Sequence, residues 1–107
     1  MTSGEGWGAD VGRVFAALAD PRRRELLELL GRSAGSSASG LAAVLPISRQ
    51  AVAQHLAVLE DSRLVHRRRA GREVLFSVRP EQLAATATWL TDRAVAWGGA
   101  GATAIST

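Results

Sequence analysis

The chain has 107 residues with 13 basic and 10 acidic side chains, and it contains no cysteine. This length fits a single domain, and the lack of cysteine excludes disulfides, thiolate metal ligands and redox-active thiols. The longest apolar stretch, residues 41–47, is too short to span a bilayer, and the first ten residues lack a signal-peptide pattern. We therefore expect a cytoplasmic protein that does not bind membranes.

Two helices are predicted at the start of the chain. The first covers residues 7–19, where apolar side chains recur at helical spacing: Trp7, Val11, Val14, Phe15 and Leu18. Asp20 is a good N-cap and Pro21 suits a first helical position, so the second helix is predicted over residues 21–30. The small, polar residues 31–40 predict a loop with a mobile tip.

A helix-turn-helix is predicted next. A short apolar helix covers residues 41–45 and is entered near Ser37 or Ser39. After a turn, Ser48 caps a longer helix over residues 49–61. The side of this longer helix that we expect to be buried carries Val52, Leu56 and Leu59. Two helices joined by a short turn, the second well capped, are typical of this motif.

After residue 61 the spacing of apolar residues changes from the helical repeat of 3.6 residues to the strand repeat of 2 residues. Residues 64–69 and 72–78 are predicted strands, joined by a tight turn at Ala70 and Gly71. A two-stranded hairpin in this position is a wing. The side of the second strand expected to pack on the helices carries Val74, Phe76 and Val78.

A last helix is predicted over residues 80–97, and its apolar seam consists of Leu83, Ala87, Leu90, Ala94 and Trp97. Residues 98–107 predict a flexible tail, which leaves residues 1–97 as one domain. The predicted fold class is mainly α with a small β-hairpin. It is a winged helix-turn-helix of about five helices plus a two-stranded wing.

The outer side of the helix over residues 49–61 carries residue types that commonly contact the base edges of DNA. Arginine pairs bidentately with guanine and glutamine with adenine, and the N-terminal part of such a helix makes these contacts. The candidate base contacts are therefore Arg49, Gln50 and Gln54. Ala53 is small enough to allow close approach to the groove floor. Ser48 suits a phosphate at the helix N-terminus, and His55 is expected at a phosphate or sugar.

Arginines crowd the predicted wing, where the candidate DNA contacts are Arg67, Arg68, Arg69 and Arg72. Cations around one turn repel each other unless an anion lies against them, and a DNA backbone or minor groove supplies that anion. The alternative is a solvated charge run. Residues 48–80 hold seven Arg and three acidic residues, so the positive charge is concentrated there. A second cluster, residues 22–24, either contacts the DNA backbone or pairs within the chain.

The first and last helices each carry an apolar stripe that a wing and two short helices do not cover. We expect these stripes to pair in a homodimer, although some side chains, Phe15 especially, could belong to the intrachain core. The candidate interface residues are Trp7, Val11, Phe15, Leu83, Ala87, Leu90 and Trp97. A dimer places two recognition helices one DNA turn (~34 Å) apart, which suits an inverted-repeat operator in double-stranded DNA.

Three segments, followed by Pro80, carry a resemblance to a known protein family: DPRRRELLELL (20–30), GLAAVLPISRQAVAQHLAVLE (40–60) and LVHRRRAGREVLFSV (64–78). In these segments the chain resembles the ArsR-type family of bacterial repressors. The P-x-S-R-x-A-V-x-Q-H-L core is most similar to the metal-independent branch. The resemblance implies a homodimer joined through its first and last helices, and operator binding that a signal releases.

The chain departs from that family in three places. The family's metal sensors have a Cys pair in the short helix, and residues 40–45 have none. Other members bind zinc through Asp and His on the last helix, where this chain offers Asp92 without a His. We therefore expect no metal and no cofactor, and the inducer is not identified. Arg63 stands where the family commonly has Gly. If that position needs a positive φ, Arg costs about 1 kcal/mol relative to Gly, and the alternative is a bend made in a different way.

Two functions from different classes follow from these patterns. The first is a sequence-specific DNA-binding repressor of its own or a neighbouring operon. The second is a winged-helix module that docks an acidic protein partner without specific operator binding. An enzyme is not expected, because the sequence has no cysteine nucleophile, no Gly-rich phosphate loop and no local Ser, His and acid pattern.

Overall fold

The computed structural model describes the backbone of residues 2–98 and the side chains of residues 10–98. Its elements follow in the order α1 (Thr2–Leu18), α2 (Pro21–Gly31), α3 (Ala38–Val44), α4 (Arg49–Asp61), β1 (Val65–Ala70), β2 (Glu73–Val78) and α5 (Glu81–Gly98). The predicted fold of five helices and a two-stranded wing is confirmed. Gly98, predicted to begin the tail, ends α5. The rest of the predicted tail and the side chain of Trp7 lie outside the described residues.

Short polar side chains begin three of the helices. Asp20 begins α2, where its Oδ1 accepts a hydrogen bond from a backbone N–H at 2.7 Å. Ser37 rather than Ser39 begins α3, with its Oγ 3.0 Å from the backbone nitrogen that it caps. Ser48 caps α4 in the same way at 3.1 Å. These bonds satisfy donors that every helix start leaves open, so the capping residues determine where each helix begins.

One continuous core holds the helices and the wing together. The predicted inner side of α4, formed by Val52, Leu56 and Leu59, is fully buried. The other elements contribute further buried side chains to the same core: Val14, Leu26, Leu30, Leu41, Leu64, Val65 and Phe76. Because apolar residues occupy one side of α4 at helical spacing, burying that side turns the opposite side outward.

The turn of the wing lies one residue later than predicted. The strands are antiparallel and pair up to Ala70 and Glu73, so the turn residues are Gly71 and Arg72. Gly71 has a φ of +65°, a left-handed conformation that two-residue hairpin turns commonly require. Glycine therefore takes the first turn position, and Ala70 remains in the strand.

The second strand of the wing has a partner besides β1. The backbone of Ser36 exchanges two hydrogen bonds with Phe76, at 3.0 Å and 2.8 Å. Residues 31–40 are predicted as a loop with a mobile tip, but Gly31 ends α2 and residues 38–40 belong to α3. The loop that remains, residues 32–37, is hydrogen-bonded to the outer edge of β2. The predicted inward side of β2 is confirmed by the contacts of Val74, Phe76 and Val78 with the core.

Arg63 joins α4 to β1 with a φ of +62°. Its N–H bonds the Glu60 carbonyl at 3.0 Å, and the Leu64 N–H bonds the Leu59 carbonyl at 2.9 Å. This pair of bonds is the Schellman arrangement that ends many helices, in which glycine usually holds the left-handed position. The condition stated for this position is therefore met, because Arg63 adopts a positive φ.

The two terminal helices of one chain pack against each other, which corrects part of the predicted dimer interface. Val11 on α1 is only 4% exposed, and Leu83 on α5 packs against the core of the same chain. Phe15 is 41% exposed and meets the Trp89 ring edge-on, with 6.1 Å between ring centroids. Side chains left exposed on α5 include Ala87, Leu90, Val95 and Trp97. Across residues 2–98, no helix has the length and apolar character that a bilayer crossing requires.

Replacing Arg63 with glycine is expected to stabilise the fold by about 1 kcal/mol, because glycine adopts a left-handed φ without a Cβ clash. Urea denaturation measures the free energy of unfolding. Arg63→Ala is the matched control, since it removes the same charge but keeps the strained Cβ. Equal stability of the glycine and alanine variants would contradict this interpretation.

Candidate nucleic-acid interface

The outward side of α4 carries the predicted base-contacting residues. Arg49, Gln50 and Gln54 are all exposed in the first two turns of the helix. Ala53 is exposed among them, and its small side chain leaves room for a surface to approach the backbone. Ser48 is also exposed, although its hydroxyl already caps the helix. The fold therefore brings these five predicted residues together on one accessible surface.

Arg49 is oriented by a contact that the sequence did not reveal. Its Nε donates to the Ser39 Oγ of α3 at 2.9 Å. A guanidinium has five N–H donors, so this bond uses one of them while it fixes the direction of the group. Ser39 thus supports the first residue of α4. Sequence patterns describe neighbours on one helix, and this contact joins residues on two helices.

His55 differs from the other candidates on α4. It is half-buried and close enough to Asp20 for their charges to interact. Partial burial raises the pKa of Asp20, but hydrogen bonds from two backbone N–H groups, together with the charges of Arg23 and His55, bring it below the ordinary value of 3.8. The predicted contact of His55 with a phosphate or sugar stays a prediction, on the part of α4 near the start of α2.

The arginine cluster at the start of α2 is engaged within the chain. Arg23 and Arg24 donate to backbone carbonyls in the last turn of α1, at 2.8 Å and 2.6 Å. Arg22 pairs with Glu25 at 2.6 Å. Carbonyls at a helix C-terminus lack partners inside the helix, so these cations satisfy them and offset the helix dipole. Of the two roles predicted for this cluster, the structure shows intrachain pairing.

The wing arginines fall into two groups. Those exposed around the turn are Arg68, Arg69 and Arg72. Arg67 instead donates to the Glu60 carboxylate through Nε and Nη2 at 2.9–3.1 Å and lies over the Phe76 ring. The hydrogen bonds to Glu60, and the charge of that carboxylate, raise the pKa of the Arg67 guanidinium. Arg67, predicted as a DNA contact, is thus bonded to its own chain.

A cleft of about 380 Å³ lies between α3, the first half of α4 and the wing. Side chains from all three parts line it, among them Ser39, Arg49, Ala53, Arg67, Arg72, Glu73 and Phe76. The fold therefore brings predicted residues from distant parts of the sequence to one surface. The lining holds three guanidinium groups and the Glu73 carboxylate, and one of those guanidinium groups, Arg67, is paired with Glu60. Arg49 and Arg72 leave the lining with a net positive charge, which favours a polyanionic ligand.

Metal binding is a poor match to the chemistry of this surface. The two histidines lie on different elements, His55 on α4 and His66 on β1. Within the part of the chain that the structure describes, no three His, Asp or Glu side chains come together to hold a metal ion. Arginine and glutamine instead donate hydrogen bonds to phosphates and base edges.

The same architecture occurs in known proteins. Residues 18–68 match a family model described as a helix-turn-helix domain. The chain is 47% identical over 77 residues to the HTH-type transcriptional regulator Rv2034 of Mycobacterium tuberculosis, which covers 71% of this chain and 70% of that protein. The solved structure of an ArsR-like transcriptional regulator from Rhodococcus sp. RHA1 is 42% identical, with a TM-score of 0.81 and 86% of each chain covered. This chain belongs to the ArsR family of transcriptional regulators.

A further relative is named a transcriptional repressor SmtB homolog, from a Synechocystis species, and is 42% identical over 64 residues. That match covers 60% of this chain and 48% of the Synechocystis protein, so this chain spans about half the length of that relative. The predicted resemblance to the ArsR family is confirmed, and so is the winged helix-turn-helix. In this ArsR-family regulator the cationic cleft lies where the recognition helix, α4, meets the wing.

The Asp20 cap predicts a specific dependence of stability on pH. The pKa of Asp20 is lowered in the folded protein, so its contribution is complete above the unfolded pKa and is lost as the pH falls through the folded pKa. Asp20→Asn keeps a capping oxygen that does not titrate. Its melting temperature should therefore fall less than that of the wild type between about pH 5 and pH 3.

Differential scanning calorimetry across this pH range measures the effect. Asp92→Asn, at an exposed site on α5, is the matched control for removal of a carboxylate and should follow the wild-type profile. Parallel profiles for Asp20→Asn and the wild type would show that the Asp20 carboxylate does not stabilise α2.

Proposed function

We propose that this ArsR-family chain is a sequence-specific, double-stranded-DNA-binding repressor. In this proposal it acts as a homodimer in the cytoplasm, on its own or a neighbouring operon, and belongs to the metal-independent branch. The observation that carries the proposal is the cleft in which Arg49 and Ala53 of α4 meet Arg72 of the wing. A DNA-reading protein needs one element in the major groove and cations on the adjacent backbone. The name of the Synechocystis relative supports repression.

In the proposed complex, the N-terminal half of α4 enters the major groove. Arg49 suits the O6 and N7 acceptors of guanine, and Gln50 and Gln54 suit adenine. Ala53 allows the helix to approach the base edges closely. Ser48 lies where the open backbone N–H groups and the helix dipole attract a phosphate.

The wing and His55 are proposed to contact the DNA backbone. Arg68, Arg69 and Arg72 are exposed around the turn, so their guanidinium groups are accessible to phosphates or to a narrow minor groove. His55 lies on α4 beyond the base-contacting residues, where a phosphate or sugar at the groove edge is within its reach. These contacts set the position of the protein along the duplex and carry no direct sequence information.

The homodimer is proposed from the apolar surface of the terminal helices. Leu90 is 48% exposed and Trp97 is 79% exposed, two turns apart on one side of α5. Large apolar side chains exposed together mark an interaction surface. The interface retains Phe15 and Ala87 from the predicted set. An inverted-repeat operator requires a two-fold axis that places the two copies of α4 about one DNA turn (~34 Å) apart.

The double variant Arg49→Ala, Gln54→Ala is expected to lose about 100-fold or more in selective affinity, because each bidentate base contact contributes about 1–3 kcal/mol. Fluorescence anisotropy with the chain's own upstream DNA and with a random duplex measures the selectivity. Arg32→Ala, an exposed arginine at the end of α2, is the matched control.

Two outcomes would count against these proposals. Full selectivity in the double variant would refute the assignment of the base contacts. Equal wild-type affinity for the operator duplex, a random duplex and other polyanions would refute the repressor, and would favour the module that docks an acidic protein.

A charge in the proposed dimer interface is expected to produce monomers. Leu90→Glu places a carboxylate in an apolar contact, where it loses hydration without gaining a partner. Sedimentation velocity should show a dimer for the wild type and a monomer for this variant. Thr88→Glu adds the same charge at an exposed site on the other side of α5 and should remain dimeric. A monomeric wild type at micromolar concentration would refute the homodimer.

A further inference from the structure

Arg67 joins the wing to the end of the recognition helix. Its Nε lies 3.1 Å and 3.0 Å from the two carboxylate oxygens of Glu60, and its Nη2 lies 2.9 Å from Oε1. Its Cζ lies 5.2 Å from the centroid of the Phe76 ring. Glu60 belongs to the last turn of α4, while Phe76 stands opposite Arg67 in the register of the hairpin. One side chain therefore contacts the helix and both strands of the wing.

These contacts restrict how the wing rotates relative to α4. The backbone connection between them is short, residues 62–64, and contains the left-handed Arg63. A planar guanidinium that is bonded through two nitrogens and stacked on a ring has a defined orientation, which an ammonium group would lack. Phe76 is only 7% exposed, so the core fixes the ring under the guanidinium. The angle of the wing is thereby tied to the core.

Glu60 needs a cationic partner in this position. An acidic side chain in the last turn of a helix opposes the helix dipole. If Arg67 moved to a phosphate, the Glu60 carboxylate would be left unpaired next to the DNA backbone and would repel it. The neighbouring Arg68 and Arg69 are exposed and can approach a phosphate without breaking this ion pair.

We infer that Glu60, Arg67 and Phe76 form a latch that sets the angle between the wing and α4. In this latch Arg67 is a positioning residue and not a phosphate ligand. The inference rests on the proposed DNA-binding function. A closed latch places the exposed wing arginines beside the DNA backbone while α4 occupies the groove. The wing therefore loses less conformational entropy when the protein binds DNA.

The sign of the effect of Glu60→Gln tests the latch. Removing a negative charge beside a polyanion strengthens binding if electrostatics alone acts. The latch predicts the opposite, about three- to tenfold weaker binding to the operator duplex. Glu73→Gln is the matched control, because it removes an exposed carboxylate from the same hairpin without touching the latch. It should bind at least as tightly as the wild type.

The dependence of DNA affinity on salt concentration shows whether Arg67 positions the wing or binds a phosphate. Arg67→Met is expected to weaken binding by the same three- to tenfold factor while the slope of log affinity against log salt stays unchanged. Arg68→Met should flatten that slope by about 0.9, the value for one phosphate contact. The double variant Glu60→Gln, Arg67→Met should bind no more weakly than either single variant, since each removes the same interaction.

Tighter binding by Glu60→Gln would overturn the latch, and so would a flattened salt slope for Arg67→Met. Amide hydrogen exchange in the DNA-free protein gives an independent readout: both latch variants should exchange hairpin amides faster, with the core amides of α4 unchanged. Should the wild type fail to distinguish operator from random duplexes, the proposed function fails, and exchange still decides the latch. Unchanged hairpin exchange in both variants would then overturn it.

Discussion

The burial of one side of α4 determines the rest of this structure. Val52, Leu56 and Leu59 are sealed in the core, and burying each side chain of this size contributes about 1.5–3 kcal/mol. An exposed polar contact contributes far less. The helix therefore cannot rotate about its axis to hide its arginine and glutamine side chains. The outward direction of Arg49 and Gln54 is a consequence of packing and does not depend on DNA.

Arginine has two distinct roles in this chain, and composition does not separate them. The cluster at residues 22–24 is bonded within the chain, and Arg67 is held by Glu60. The arginines around the wing turn are exposed instead. An arginine side chain is therefore available to a polyanion only where it is not already bonded to a nearby carboxylate or carbonyl of its own chain. Counting cations over residues 48–80 overstates the charge that the surface offers.

Local rules explain most of what the sequence could predict. The bounds of α4 and its buried side follow from the Ser48 cap and from helical periodicity, and both are found as predicted. The family resemblance marked Arg63 as a position that commonly holds glycine but left its backbone conformation open, and the structure shows a positive φ there. The turn was misplaced by one residue, because Gly71 could serve as either the first or the second turn residue.

Contacts between residues distant in the chain could not be predicted. The Arg49–Ser39 bond, the Arg67–Glu60 pair and the burial of Val11 each depend on how separate elements come together. Periodicity identifies an apolar stripe but does not say whether the same chain or a second copy covers it. For this reason the predicted interface set contained two residues, Val11 and Leu83, that pack within the chain. The residues proposed to contact DNA remain predictions on a surface that the fold does assemble.

The backbone pairing of Ser36 with Phe76 has a consequence for how this protein behaves at high concentration. The loop that contains Ser36 covers part of the outer edge of β2. Among the described residues 2–98, the strand edge most open to another molecule is therefore the outer edge of β1. β1 carries three consecutive arginines, and Arg68 and Arg69 are exposed beyond the Arg67–Glu60 pair. Like charges along an open edge repel a second copy of the same edge, and proteins use this device against aggregation through strand addition. The charge on this edge therefore disfavours strand-to-strand assembly of the exposed hairpin.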